Sequence, residues 1–138
     1  MPRTSSTTIV RTAAQRVVIP IFMNLVSITA ATVWRFTPGM PGRIVSLDFV
    51  VNKAVTTAAK AATVTAHIGG TATTGGAVAL TSAAATPAGT KISGSSITDK
   101  SNFDDDDEIT LVGSSVTAFV EGDGVFNLTL EFGRIAAG

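Results

Sequence analysis

A strict two-residue alternation of apolar and polar side chains is the feature that most constrains how this chain folds. It is clearest in the segment VFNLTLEF, where every second residue from Phe126 to Phe132 is apolar and the intervening residues are polar. Successive side chains of a β-strand point to opposite faces of a sheet, so the pattern predicts a strand with one face in the core. Two further segments predict inward residues in the same way: Val64, Ala66 and Ile68 in ATVTAHI, and Val45, Leu47, Phe49 and Val51 in RIVSLDFVV, whose outward residues are Ile44, Ser46, Asp48 and Val50.

Turn-forming segments such as TPGMPG and GDG separate about eight short strand candidates. No segment predicts a convincing helix, and KAVTTAAKAA is expected to form a loop because neighbouring threonines interrupt its alanines. Many short alternating strands divided by Gly and Pro indicate an all-β fold, and eight strands favour a jelly-roll-like β-sandwich of antiparallel strands. Strand order is not predicted.

Two regions of the chain are expected. Residues 1–16 contain three arginines (Arg3, Arg11 and Arg16) and no acidic residue, which predicts an extended N-terminal arm. Residues 17–138 are expected to form a single sandwich domain. Pro20 lacks an amide proton, so the strand in VVIPIF should lie at a sheet edge or a bulge.

An uncharged run extends from Val17 to Trp34 and just reaches the lower length limit for a membrane span. Pro20, Asn24 and the β-branched residues of the run favour strands instead, and the polar residues that precede it do not fit a secretory signal. We therefore expect neither a membrane span nor a signal sequence.

Composition excludes several kinds of site. The chain has no cysteine and one histidine, His67, which excludes disulfides, thiolate metal sites and sites with several histidines. Only 14% of the residues are charged, so Thr, Ser, Gly and Ala must cover much of the surface. A surface of this kind suits a protein that packs against neighbours.

Charge is distributed unevenly although the net charge is zero. Residues 1–98 carry eight Lys and Arg against Asp48 alone, a net charge of +7, and residues 99–138 carry two against nine acids, a net charge of −7. Complementary faces could meet within or between subunits, or folding could mix the two halves so that no patch remains.

An acidic run, Asp104 to Glu108, directly precedes a predicted strand. It does not match a calcium loop of the helix-flanked type, because neither Asn102 nor Asp104 as first residue gives a Gly at the sixth position and a Glu at the twelfth. A looser cation site formed by Asp104, Asp106 and Glu108 remains an alternative. Adjacent acids in one turn stay solvated and ionised, unlike paired glycosidase carboxylates, so we expect a solvated turn that discourages edge pairing or contacts a basic partner.

No catalytic site is predicted. A Ser-His-Asp triad with His67 and either Ser46 or Ser96 is formally possible, but no Gly-x-Ser-x-Gly segment is present. The glycines of GGTATTGG lack the Lys-Ser/Thr ending of a phosphate-binding loop. Trp34 and Phe36 could form an aromatic surface for sugars, although core packing is expected for Trp34. Three arginines in the arm give too small a positive charge to predict nucleic-acid binding.

The order of VVIPIFMNLVSI, TPGMPGRIVSLDFVV, VTTAAKAATVTAHIGG, VALTSAAATPAGTKISG and VTAFVEGDGVFNLTLEF resembles that of the small jelly-roll decoration, or cement, proteins of tailed bacteriophage heads. The resemblance covers roughly residues 16–132, in size, in Ala/Thr/Gly content and in the polar arm, without a diagnostic motif. It implies a virion protein, assembled in the host cytoplasm and seated outside the capsid, that binds the major capsid protein and itself as a homodimer or homotrimer.

On this reading the protein is not an enzyme and needs no cofactor, and it binds neither nucleic acid nor membrane. Its expected contacts with the capsid or with neighbouring subunits are Arg3, Arg11, Arg16, Asp104, Asp105, Asp106 and Asp107. The alternative is a carbohydrate-binding or adhesin-type sandwich, such as a tail-fibre or receptor-binding module, assisted by calcium at the acidic run.

Overall fold

The computed structural model of the chain describes residues 15–132, which form two antiparallel β-sheets packed face to face. In chain order the strands are β1 (Gln15–Asn24), β2 (Thr32–Phe36), β3 (Gly42–Lys53), β4 (Ala61–Ile68), β5 (Thr71–Ala72), β6 (Val78–Thr81), β7 (Lys91–Ser93), β8 (Asn102–Phe103), β9 (Ile109–Thr117) and β10 (Asp123–Phe132). A single 3-10 turn, Leu25–Ser27, follows β1. The predicted all-β sandwich is confirmed, with ten strands of which β5 and β8 have two residues each.

The strand pairing is that of a jelly roll. Sheet I has the order β1-β10-β3-β7, with β8 also paired to β3, and sheet II has the order β2-β9-β4-β5, with β6 also paired to β4. The first strands therefore pair with the last in nested fashion: β1 with β10, β2 with β9, β3 with β7 and β8, and β4 with β5 and β6. This nesting is what results when one long antiparallel ribbon rolls up into two facing sheets.

The core lies between the two sheets and follows the period-two pattern. Phe126, Leu128 and Leu130 of β10 are buried, and they lie opposite Phe49, Leu47 and Ile44 of β3. The rings of Phe49 and Phe126 lie 4.8 Å apart at an angle of 59°. Each such side chain stabilises the fold by about 1.5–3 kcal/mol through removal of its apolar surface from water. Sheet II supplies Ala62, Val64, Ala66, Val78, Leu80, Ile109 and Leu111 to the same core.

The prediction of which β3 residues face the core is wrong at the start of the strand. Ile44, expected to point outward, is fully buried, whereas Val45, expected in the core, is only half-buried. The reason is a β-bulge: Thr129 lies opposite Ser46 while the next residue, Leu130, lies opposite Ile44, so Val45 is an extra residue in β3. Such an insertion reverses the alternation on one side of it. The inward positions of Leu47, Phe49 and Val51 are confirmed.

β1 forms one edge of sheet I, as Pro20 predicted. Leu25, which continues the register of β1, donates its N–H to the Gly122 carbonyl, so odd-numbered residues of β1 form the ladder with β10. Even-numbered residues therefore direct their N–H and C=O groups to the free edge. At Pro20 the free edge lacks a donor, which is where a proline is tolerated in a strand.

The uncharged run that begins at Val17 forms β1, the 3-10 turn and most of β2. None of the helices within residues 15–132 is of a length and apolarity that would span a membrane. The loop predicted for KAVTTAAKAA is confirmed for residues 54–60, whereas Lys53 ends β3 and Ala61 and Ala62 begin β4. Arg16, placed by the sequence in the arm, lies in β1, whereas Arg3 and Arg11 fall outside the described residues.

Candidate functional site

The acidic run forms a compact turn between β8 and β9. Asp107 donates its N–H to the Asp104 carbonyl (3.3 Å), and Asp104 donates its N–H to Oδ2 of Asp107 (2.8 Å). The turn thus closes on itself through one of its own carboxylates, a common use of aspartate in turns. Asp104, Asp105 and Asp106 are exposed, as expected for a solvated turn.

The proposed cation ligands are not brought together. Nowhere in residues 15–132 do three His, Cys, Asp or Glu side chains converge on a position where a metal ion would fit. Glu108, the third of the candidate ligands, instead accepts a hydrogen bond from Nη1 of Arg35 at 3.0 Å. Asp104 and Asp106 remain on the exposed turn, and Glu108 does not join them as a third ligand.

A second charged cluster lies on the outer face of sheet I, close to where the described chain begins and ends. Glu131 of β10 accepts hydrogen bonds from Nε of Arg43 (2.8 Å) on β3 and from Nε of Arg16 (3.1 Å) on β1. The hydrogen bond from Arg43 holds the pKa of the Glu131 carboxyl below its usual value, and the bond from Arg16 acts in the same direction. The cluster ties three neighbouring strands together by charge.

The ion pairs show where the basic residues of the first 98 positions meet the acidic residues of the last 40. Three of the four ion pairs in residues 15–132 join a basic residue of the first 98 positions to an acid of the last 40: Arg16 and Arg43 to Glu131, and Arg35 to Glu108. The fourth joins Lys91 to Asp48 at 3.9 Å. Complementary charges therefore meet within the subunit. The exposed acids of the turn, Asp104 to Asp106, have no cation within 4.0 Å in the same part of the chain.

Ser46 and His67 of the formal triad lie on opposite sides of the sandwich. His67 lies on β4 opposite Thr110 of β9, with neighbouring Ala66 in the core, so it belongs to the outer face of sheet II. Ser46 lies opposite Thr129 in sheet I. Ser96 follows β7 in a loop whose backbone packs against Gly75. Within residues 15–132, no hydrogen bond joins His67 to Ser46 or to Ser96.

Trp34 and Phe36 pack against the core, with ring centroids 5.7 Å apart and an interplanar angle of 21°. They lie opposite the buried residues Leu111 and Ile109, so their side of β2 faces the sandwich interior. Core packing, the role expected for Trp34, is confirmed.

A shallow pocket of about 270 Å³ opens beside the loop between β3 and β4, lined by Val55, Thr56, Thr57, Ala58, Ala59, Ser82, Ala83 and Thr86. Its lining side chains are small and uncharged. Glu121 fixes the same loop by accepting hydrogen bonds from the hydroxyls of Thr57 (2.6 Å) and Thr56 (2.9 Å). The bond from Thr57 lowers the pKa of Glu121. These bonds fix the conformation of the loop and leave no acid–base group in the pocket.

Sequence reasoning missed an exposed apolar surface along β1. We call it the β1 surface: Val17, Val18 and Phe22 of β1, Val26 of the 3-10 turn, and Val120, which all expose between 41% and 64% of their area. Val26 and Val120 lie at the same end of sheet I, because Leu25, next to Val26, donates its N–H to the carbonyl of Gly122, two residues after Val120. The available signal was the absence of charge from Val17 to Trp34, which the sequence linked only to strand formation.

Comparisons of the chain with protein-family models, with curated proteins and with solved structures found no match.

Proposed function

We propose that this chain is a structural protein of a phage virion, a decoration protein that binds the outside of the head and stabilises the lattice of major capsid proteins. The observation that carries the proposal is the jelly-roll pairing of the two sheets, since jelly rolls are a recurrent architecture of capsid and lectin domains. This support is a fold-level analogy and is joined to the sequence resemblance described above.

The surface chemistry fits a protein that works by contact. The outer face of sheet II presents Thr63 and Thr65 beside Ser114 and Val112, a stretch of short, uncharged side chains, and His67 and Arg35 lie on either side of Thr110 at one end of it. Short side chains lose little conformational entropy when a partner covers them. Many modest contacts of this type, repeated over a symmetric lattice, produce tight binding through avidity.

The charged contacts of the proposal lie at one end of the sandwich. Gln15, the first described residue, pairs with Phe132, the last, and Gly42 pairs with both Phe132 and Phe103. The arm therefore joins the sandwich at the same end as the acidic turn that follows Phe103. We assign Arg3 and Arg11 to carboxylates of a neighbouring subunit or capsid protein, and Asp104, Asp105, Asp106 and Asp107 to basic groups. Arg16 holds Glu131 of its own chain and serves the domain itself.

The test is the composition of virus particles. Particles carrying the gene are purified on a density gradient, and the chain is quantified against the major capsid protein by mass spectrometry. We expect many copies per particle, accessible on intact heads to an antibody against the chain. Absence from purified particles, or presence on tails alone, would overturn the proposal. Glycan binding that depends on calcium would point instead to the carbohydrate-binding alternative.

A further inference from the structure

We propose that the β1 edge of sheet I is a dimerisation site, at which β1 of a second copy pairs antiparallel so that sheet I continues across a two-fold axis near Phe22. This inference deepens the proposed function by identifying the surface through which the chain binds itself. Its test requires only the purified chain, so its failure would leave the particle test intact.

The first argument is the length of the free edge. β1 has ten residues, whereas the strands at the other sheet edges, β2, β5, β6, β7 and β8, have two to five. Native proteins protect long edges with charged side chains or cover them with another element, because unpaired N–H and C=O groups attract further strands. β1 carries no charge after Arg16, which Glu131 already engages.

The second argument is that β1 is exposed on both of its faces. Val17 belongs to the inward row, since it lies opposite the fully buried Leu130, yet 41% of it is exposed. Val18 and Phe22 belong to the outward row and expose 54% and 64%. A partner that packed on the outer face would leave Val17 uncovered. An added strand at the edge covers apolar side chains of both rows.

The occupant is a second copy because the edge is self-complementary. In a two-fold interface the same surface is used by both subunits, so a charged edge would meet like charges. From Val17 to Trp34 the chain has none. With the two-fold axis at Phe22, the free N–H and C=O groups of Phe22 pair with those of Phe22 in the second copy, and Asn24 donates its free N–H to the Pro20 carbonyl of that copy.

Pro20 determines where the axis lies. A two-fold axis through Pro20 would set two prolines opposite each other, each without an N–H to donate. An axis near Phe22 avoids this and brings the two Phe22 rings together. It also places Val26 and Val120, 49% and 58% exposed, beside the partner. Adjacent aromatic side chains across paired strands stabilise the pairing.

Sedimentation of the purified full chain tests the proposal. We expect a concentration-dependent species of twice the 14.0 kDa chain mass. Phe22→Lys places two like charges near the axis and should weaken association at least about tenfold, the factor that corresponds to 1.4 kcal/mol. Ser93→Lys, an exposed position on β7 at the other edge of sheet I, is the matched control and should leave the dimer unchanged. Circular dichroism establishes that both variants retain the fold.

Cross-linking gives an independent readout, since the chain has no cysteine of its own. A short bis-maleimide should link Phe22→Cys chains into dimers at a concentration where Ser93→Cys chains stay unlinked. Equal linkage at both positions, a monomer at all concentrations, or a dimer unaffected by Phe22→Lys would overturn the proposal. A trimer would do so as well, because one edge strand pairs with one other. Loss of the dimer on Ile9→Lys would assign the edge to the arm of another copy instead.

Discussion

Replacing Phe126 by alanine measures the contribution of a core side chain to stability. The neighbouring strand β1 offers a matched phenylalanine, Phe22, on the surface. Phe126 is fully buried, whereas Phe22 is 64% exposed. Phe126 lies opposite Ile21, and the adjacent residue Phe22 lies opposite Val125, so the two phenylalanines occupy opposite faces of one strand pair. Only truncation of Phe126, whose face is covered by the other sheet, should lower the free energy of unfolding substantially.

The expected cost of Phe126→Ala follows from its surroundings. Loss of a buried phenylalanine and the cavity left behind reduces the free energy of unfolding by about 3–5 kcal/mol. Of this, about 0.5–1.5 kcal/mol comes from the contact with the Phe49 ring, whose centroid lies 4.8 Å away. For a domain of this size the melting temperature should fall by about 10–20 °C. Phe22→Ala should change the free energy of unfolding by less than about 1 kcal/mol.

The assay is urea unfolding followed by far-ultraviolet circular dichroism, at a protein concentration at which the chain is monomeric. Working with the monomer separates the packing of Phe22 from any contact with a second copy. A double-mutant cycle that combines Phe126→Ala with Phe49→Ala measures the coupling free energy between the two phenylalanine rings. Equal destabilisation by Phe126→Ala and Phe22→Ala would refute the assignment of the two faces of sheet I.

Two further changes probe sheet I. Because Arg43 and Arg16 lower the pKa of Glu131, its contribution to stability is present above the ordinary glutamate pKa of about 4.3 and is lost as the pH falls through the lower folded-state value. Glu131→Gln should therefore unfold at lower urea than wild type at pH 7 and match it near pH 2; a constant difference between the two would contradict the pairing. A Cβ at Gly124 would overlap the Val50 carbonyl and the Phe49 ring, so Gly124→Ala should cost about 1–3 kcal/mol in urea unfolding, and a neutral result would refute this close approach.

The parts of the fold that the sequence predicted are those set by local pattern. In β10 the alternation from Phe126 onward continues through the strand, because nothing interrupts its register with β1. In β3 the same reasoning failed at Ile44, since the bulge at Val45 depends on how β3 meets β10. Pro20 located an edge strand because a missing donor is a property of the residue itself.

The partners of charged residues and the exposure of apolar ones could be identified only from the three-dimensional structure. Glu131 binds Arg43 and Arg16 from 88 and 115 residues away, so no spacing in the sequence indicates the cluster. The acidic turn was predicted because adjacent carboxylates must remain hydrated, but its closure by Asp107 was not. For β1, the sequence indicated a strand but not that its apolar side chains lie at an uncovered edge, which depends on strand order.

Amide hydrogen exchange along β1 tests the central claim most directly, because it reports the ladder and the free edge in one measurement. In the dilute monomer, the amides of Ile19, Ile21 and Met23 should be protected by β10, and those of Phe22 and Asn24 should exchange rapidly. At high concentration the amides of Phe22 and Asn24 should become protected as well. Protection of both sets in the monomer, or rapid exchange of Phe22 and Asn24 in the assembled protein, would contradict the account.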